Sequence, residues 1–224
     1  FRLVRHMCMR DRSNLLRLVA CLFFLLSLNA FAVDTDGDGF SDADEATLGT
    51  DPNDPTSPIE NKLTASDGAE SDEFGYSVSI DGDTAVIGAN RDNDLKGSAY
   101  VYVRSDGVWS EQQKLTASDG ALNNNFGNSV SISGDTAVIG AYTDSSYPGD
   151  SSTGSAYIFE RDNGVWSEQT KLTSSSGVFQ FGISVSIDGD TAIIGSIQTQ
   201  FDQSVYVYLR SNGVWSEQQK LTAS

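Results

Sequence analysis

Residues 74–88 read Phe-Gly-Tyr-Ser-Val-Ser-Ile-Asp-Gly-Asp-Thr-Ala-Val-Ile-Gly, and close copies of this stretch begin at Phe126 and Phe181. In each copy, two runs rich in β-branched residues flank an X-Gly pair. This pattern predicts two strands joined by a tight turn, because glycine accepts the positive φ that such turns require. The same repeat is marked by the tripeptide Lys-Leu-Thr, which begins at Lys62, Lys114, Lys171 and Lys220.

A second predicted hairpin completes each repeat. Residues 99–103 read Ala-Tyr-Val-Tyr-Val, and the pair Asp106-Gly107 then precedes a run that contains Trp109. Valines lie on one face of the third strand and tyrosines on the other, so the sheet needs cover on both sides. Four strands in about 50 residues are typical of a propeller blade. We therefore predict an all-β domain over 61–224, with units near 62–113, 114–170 and 171–219 and the start of a fourth.

The charge and the rare residue types exclude several functions. The chain has 224 residues and a formal net charge of −17, which disfavours a nucleic-acid surface, because such a surface needs clustered Lys and Arg. The histidine and both cysteines, His6, Cys8 and Cys21, precede residue 33. The remainder therefore lacks the groups for Cys-His or Ser-His-Asp catalysis, His-ligated zinc or a disulfide.

Residues 1–32 are predicted to be upstream residues and a secretory signal peptide. Arg10, Arg12 and Arg17 form the basic part, residues 15–28 the apolar part, and Ala-Phe-Ala at 30–32 the cleavage pattern. A membrane anchor is the alternative, but the apolar run is short for a span of about 20 residues. We expect a secreted or cell-surface protein with no membrane span after cleavage.

Residues 34–45 have the spacing of a twelve-residue calcium loop. Carboxylates fall at positions 1, 3, 5, 9 and 12, and Gly39 lies at position 6, where the chain must turn sharply. The predicted Ca²⁺ ligands are the side chains of Asp34, Asp36, Asp38, Asp42 and Glu45 and the carbonyl of Phe40. A solvated acidic linker is the alternative. A helix can follow only briefly, around 43–48, before the turn-rich linker that ends this segment, 33–60.

The repeats resemble the FG-GAP repeat of integrin alpha chains and many secreted bacterial proteins, on Phe74-Gly75 and its copies followed by Ile-Gly-Ala or Ile-Gly-Ser. The resemblance implies propeller blades and extracellular binding or adhesion, to a protein or glycan ligand, without enzymatic chemistry. Integrin-type repeats often carry Asp-x-Asp-x-Asp-Gly between the first two strands. This chain has only Asp-Gly-Asp or Ser-Gly-Asp there, so calcium in the blades is not implied. Residues 34–45 resemble the thrombospondin type 3 calcium repeat.

Three functions stay open at the level of the sequence: a calcium-stiffened binding module, a structural repeat spacer of a larger surface protein, and a glycan-active enzyme. An enzyme is the least favoured, because the acidic run Asp67, Glu70, Asp72 and Glu73 has no counterpart at 177–180 of the third repeat. The FG-GAP propeller of integrin alpha chains has seven blades, whereas this chain has three full repeats. We therefore expect a fragment whose partner is the missing repeats of its own chain, or chains that complete each other's ring.

The connecting loops differ in length between repeats while the strands do not, which usually puts binding in the loops. We expect these loops to lie at the blade ends, to be the least ordered parts and to form a binding rim. The loops are residues 67–73, 90–96, 119–125 and 142–153.

We predict that Ca²⁺ binds residues 34–45 with a dissociation constant of about 10⁻⁴–10⁻³ M, as in extracellular modules. The reason is electrostatic, since five carboxylates in a small volume repel one another unless a divalent ion is present. Asp38→Ala should abolish binding and leave the repeats folded. Calorimetry on residues 33–224 tests this, and an unchanged isotherm in the variant would show an acidic linker.

Overall fold

The structure is a computed structural model. It describes residues 35, 42, 43, 53, 62–144, 153–175, 178–199 and 202–222. The chain separates into two units, residues 1–60 and 61–224, and the described strands all lie in the second. The predicted signal peptide lies outside the described residues.

The second unit is built from three four-stranded antiparallel sheets, one for each repeat. The first contains β1 (Ser77–Asp81), β2 (Thr84–Ala89), β3 (Ser98–Ser105) and β4 (Val108–Leu115). The second contains β5 (Ser129–Ser133), β6 (Thr136–Ala141), β7 (Ser155–Asp162) and β8 (Val165–Leu172). The third contains β9 (Ser184–Asp188), β10 (Thr191–Thr199), β11 (Asp202–Ser211) and β12 (Val214–Thr222). The predicted all-β fold of blade-like repeats is confirmed.

Strands neighbour one another in chain order within each sheet, as tight hairpins require. Between β1 and β2 the turn glycine, Gly82, has a φ of 56°. Between β3 and β4, Asp106 and Gly107 both have positive φ, at 52° and 81°, which is the pattern of a type I′ turn. A short turn at Asp92–Leu95 interrupts the β2–β3 connection, and Asn93, Asp94 and Leu95 in it have positive φ, so it is not a regular right-handed helix.

Each sheet is covered on both faces where a neighbouring repeat is present. Val86 and Val101 of the first sheet pack against Ile139 of the second in one buried cluster. Tyr100 and Tyr102 point to the opposite face and pack with Phe74 and Leu63. A second cluster joins the second and third sheets in the same way. The two-sided apolar pattern therefore predicted correctly that each sheet is a layer in a stack.

The Phe-Gly pair at the start of each repeat joins it to the repeat before. Phe126 is fully buried, and its ring meets Tyr157 and Phe159 edge-on at centroid distances of 5.4 and 5.9 Å. The carbonyl oxygen of Gly127 lies directly against the α-carbon of Gly88 in the preceding sheet, where a β-carbon would overlap it. The two backbones therefore approach each other closely at this glycine.

Gly140 repeats this contact with Gly182 of the third repeat. We predict that Gly140→Ala lowers the free energy of unfolding by about 3 kcal/mol, because the new methyl would overlap the Gly182 carbonyl and the Ser129 hydroxyl. Gly134→Ala is the control. No atom lies within 4 Å of the new methyl there, and only its φ of 56° opposes the change, at about 1 kcal/mol. Urea unfolding followed by tryptophan fluorescence measures both. Equal losses would contradict the role given to the contact.

Candidate functional site

The second repeat holds its connecting loops with a half-buried lysine. The ammonium of Lys171, at the end of β8, lies 2.6 Å from carboxylate oxygens of both Asp119 and Asp144. The Tyr157 hydroxyl shares its one proton between the same two carboxylates, whose oxygens lie at 2.7 and 3.0 Å. Asp119 begins loop 119–125 and Asp144 lies in loop 142–153. One cation therefore fastens two loops to the end of the sheet.

The first repeat builds the same network from equivalent residues. Lys114 lies 2.6 Å from Asp67 and 2.5 Å from Asp92, and the Tyr100 hydroxyl donates to Asp67 at 2.8 Å. The Ser98 hydroxyl donates a further hydrogen bond to the buried Asp92. Each lysine also lies over the ring of the tyrosine in its network, at 5.2 Å in the first repeat and 5.3 Å in the second.

Opposite charges fix the protonation state of this network. Burial alone would lower the pKa of Lys171, but its hydrogen bonds to Asp119 and Asp144 outweigh burial and raise that pKa. Burial would raise the pKa of Asp119, but its bonds to Lys171 and Tyr157 outweigh burial and lower it. Burial raises the pKa of Tyr157, as does its bond to Asp119, so the hydroxyl remains a donor. The arrangement is suited to holding loops in place.

Loop 119–125 is held more firmly than we expected. Asn124 is buried, and its amide donates to the second carboxylate oxygen of Asp144 at 2.8 Å. Asn125 accepts a hydrogen bond from the Thr143 hydroxyl at 2.7 Å. The prediction of a poorly ordered binding rim is therefore wrong at Asn124, because its side chain satisfies the buried carboxylate of Asp144. Residues 145–148 of loop 142–153, which was also expected to form the rim, lie outside the described residues.

The acidic run at 67–73 is divided among separate partners. Asp67 belongs to the network of Lys114, Glu73 pairs with Arg91 at 3.1 Å, and Asp72 accepts the backbone N–H of Ala69 at 2.6 Å.

The opposite end of the sheets carries a polar cleft between the second and third repeats. It has a volume of about 370 Å³ and is lined by Arg161, Arg210, Glu160 and Asp135 among others. Arg210 lies 2.6 Å from both Glu160 and Asp190, and Arg161 lies 2.6 Å from Asp135. These cations already have partners, so the cleft is less suited to an anion than its arginines suggest.

Of the predicted calcium ligands, only Asp42 is among the described residues. Both of its carboxylate oxygens accept hydrogen bonds from Thr35, one from the backbone N–H at 2.8 Å and one from the hydroxyl at 2.7 Å. Asp42 and Ala43 are helical, and of the brief helix expected around 43–48 only Ala43 is among the described residues. Asp34, Asp36, Asp38, Phe40 and Glu45 lie outside the described residues. The predicted ligand set consists of oxygen donors alone, which fits Ca²⁺.

No group of three or more acidic, His or Cys side chains within the described part of the chain has a metal-binding arrangement. No helix in the same residues has the length and apolarity of a membrane span.

Comparison with protein families matches this architecture. The family model described as FG-GAP repeat matches three ranges, which together make up more than half of the chain: residues 59–102, 109–159 and 166–208. The chain belongs to the FG-GAP repeat family. The model described as bacterial TSP3 repeat matches residues 34–55, a type of repeat that binds calcium. Both kinds of repeat are typical of extracellular or surface proteins. No curated protein matches the chain.

Sequence reasoning missed the lysine networks of these FG-GAP repeats, although a signal was present. In the first repeat, Asp67 and Asp92 occupy the positions of Asp119 and Asp144. In the third repeat, the aligned positions are occupied by Ser176 and Thr199. The third repeat lacks both aspartates, which indicates that the two share one partner in the other repeats. That partner is the lysine of Lys-Leu-Thr. In the third repeat Lys220 lies 5.6 Å from the ring centre of Tyr206.

We predict that Lys171→Met lowers the free energy of unfolding by about 3 kcal/mol, because it leaves the buried carboxylate of Asp144 without its cation. Lys220→Met is the matched control, because its repeat has no aspartate at the two equivalent positions, and we expect a loss below about 1 kcal/mol. Guanidinium unfolding followed by tryptophan fluorescence compares the two. A loss of the same size in both variants would contradict a role for the carboxylates.

Proposed function

We propose that this FG-GAP protein is a secreted or cell-surface binding module that uses its loop end to hold an extracellular protein or glycan. The observation that carries the proposal is the lysine network, which fixes one aspartate in each of two loops of different length. The β2–β3 connection spans 90–96, whereas the equivalent β6–β7 connection spans 142–153. Both are anchored at an equivalent aspartate, Asp92 or Asp144.

Pre-organised loops favour binding, because less conformational entropy is lost when a ligand orders them. Variable loops on a rigid scaffold are also where binding residues concentrate in proteins. The calcium loop fits the same proposal. Asp34, Asp36, Asp38, Asp42, Glu45 and the Phe40 carbonyl would hold a Ca²⁺ that stiffens the segment preceding the first repeat. We propose that the module is not an enzyme, since the lysines and aspartates at the loop end neutralise one another.

A loop exchange tests the proposal. Residues 33–224 are screened on a glycan array and on an array of extracellular proteins, with and without Ca²⁺. The variant replaces residues 142–153 by the sequence of 90–96, which supplies an aspartate at the anchoring position. We expect at least a tenfold loss of affinity for a ligand found in the screen, or about 1.4 kcal/mol.

The matched control changes the opposite end of the sheets. Asp106→Asn converts the turn of the first repeat into the Asn-Gly turn of the other two, and it should leave both folding and binding unchanged. Binding that survives the loop exchange, or that is lost equally in the control, contradicts a loop-end site. A chain that binds no member of either array is a structural spacer.

A further inference from the structure

We propose that Lys220 and Ser204, at the loop end of the third repeat, form a binding site for a carboxylate, and that its occupant is an acidic side chain of a partner protein. The inference rests on the proposed function, because the site lies at the same end of the sheets, and it names the chemistry of the ligand. In the first two repeats the equivalent lysine binds aspartates of the chain itself.

The first repeat shows how a lysine and a serine act together at this place. The ammonium of Lys114 and the hydroxyl of Ser98 both lie 2.5 Å from the same oxygen of Asp92, Oδ2. A cation and a hydroxyl donor thus converge on one carboxylate oxygen, and hydrogen bonds to a charged group are stronger than those between neutral groups. Asp92 is 6% exposed, so this pair of donors holds a carboxylate that has left water.

The third repeat keeps the same frame. Lys220 lies opposite Tyr206 across β11 and β12, in the register that joins the lysine and the tyrosine of the first repeat. Ser204 lies two residues before Tyr206 on β11, again as in the first repeat. The ammonium of Lys220 is 5.6 Å from the ring centre of Tyr206, and the equivalent distance in the first repeat is 5.2 Å. The two donors are therefore placed on the sheet as they are in the first repeat.

The carboxylates that fill this place in the first two repeats are missing from the third. The aligned positions are Ser176 and Thr199. β10 runs for nine residues to Thr199, whereas β2 and β6 run for six, so strand pairing continues where the other repeats have a loop that carries the aspartate. Within the part of the chain that the structure describes, the ion pairs of Lys114 and Lys171 have no equivalent at Lys220.

A buried hydroxyl is the observation that points to a ligand. Ser204 is 2% exposed, and its hydroxyl has no hydrogen-bond partner among the described residues. A buried hydroxyl without a hydrogen bond costs free energy, so such a group indicates a missing partner. Ser196, which replaces an alanine of the other repeats, is also buried and donates to the Ser204 carbonyl at 3.3 Å. The third repeat thus presents a donor for a carboxylate oxygen that the described residues do not supply.

An acidic side chain on a peptide is the occupant that best fits this place. In the other repeats the carboxylate arrives on a peptide loop at the end of the sheet. Lys220 is half-buried, so salt screens its pairing with a ligand less than it screens an ion pair on the open surface. A partner loop that carries an aspartate or a glutamate would complete the third repeat as the chain completes the other two.

A titration with a short acidic peptide tests the site. The probe is acetyl-Gly-Asp-Gly-amide, the neutral control is acetyl-Gly-Asn-Gly-amide, and nuclear magnetic resonance follows residues 33–224, which retain the whole unit 61–224. We expect saturable shifts of the Lys220 and Ser204 signals with the acidic peptide alone. The dissociation constant should be about 10⁻³ M, because two hydrogen bonds to a carboxylate act against the repulsion of a chain with a net charge of −17.

Two variants separate binding from folding. Lys220→Met should weaken binding about tenfold, because it removes the cation. Ser204→Ala should weaken binding about fivefold yet leave the midpoint of urea unfolding unchanged or raised, because in the free protein its hydroxyl has no partner to lose. Lys62→Met is the control. It makes the same change of charge in the same tripeptide at an exposed lysine, and it should leave binding unchanged.

Three results would overturn the proposal. The first is that the two peptides cause equal shifts or none, which would leave no role for a carboxylate. The second is binding that Lys220→Met leaves unchanged. The third is tighter binding of galacturonate, a sugar acid, than of the acidic peptide, which would assign the site to a glycan. The titration needs no ligand from the arrays, so its failure removes this site and leaves the loop-end function to its own screen.

Discussion

The packing of a backbone carbonyl against a glycine sets the distance between repeats. The oxygen of Gly127 lies against Gly88, and that of Gly182 lies against Gly140. Any side chain at the second glycine of either pair would hold the sheets apart and separate the apolar clusters between them. The phenylalanine before each carbonyl then packs edge-on against two aromatic rings of its own sheet. Close approach and aromatic packing therefore depend on the same two residues, which explains why Phe-Gly opens every copy.

This arrangement makes each sheet depend on its neighbours. A blade buries one face on the repeat before it and the other on the repeat after it, so its stability is divided between intrinsic and interfacial contributions, as in other repeat proteins. The loops are held in two ways, by a lysine of their own sheet and by backbone hydrogen bonds to the next repeat, such as that from Asn125 to Leu95 at 2.9 Å. A scaffold of this kind can change a loop without disturbing the stack, provided that the anchoring aspartate and these backbone contacts are kept.

Much of the fold could be predicted from the sequence, because its signals are local. The X-Gly pairs specify the turns, and these turns determine the number and order of the strands in each sheet. The alternation of valine and tyrosine along β3 specifies that both faces of the sheet are buried. The lysine network could not be predicted in the same way. Asp67 and Lys114 are 47 residues apart in the chain, and only the stacking of strands brings them together. Asn124 was expected in a loose loop because asparagine-rich runs favour loops, but a buried carboxylate offered it a partner.

The two internal junctions are not held by the same forces at their outer strands. At the first, the Gln113 amide joins the Trp166 backbone, and Gln112 accepts the indole N–H of Trp166 at 3.0 Å. At the second, Thr170 replaces Gln113, and the indole N–H of Trp215 has no hydrogen-bond partner among the described residues.

The second junction instead has the half-exposed ion pair of Arg210 with Glu160, a position occupied by Val103 in the first repeat. Salt screens such a pair but hardly affects a neutral amide contact. Rising ionic strength therefore weakens this ion pair at the second junction and hardly affects the amide contact at the first. The outer part of the boundary between the second and third repeats is thus the more sensitive to salt.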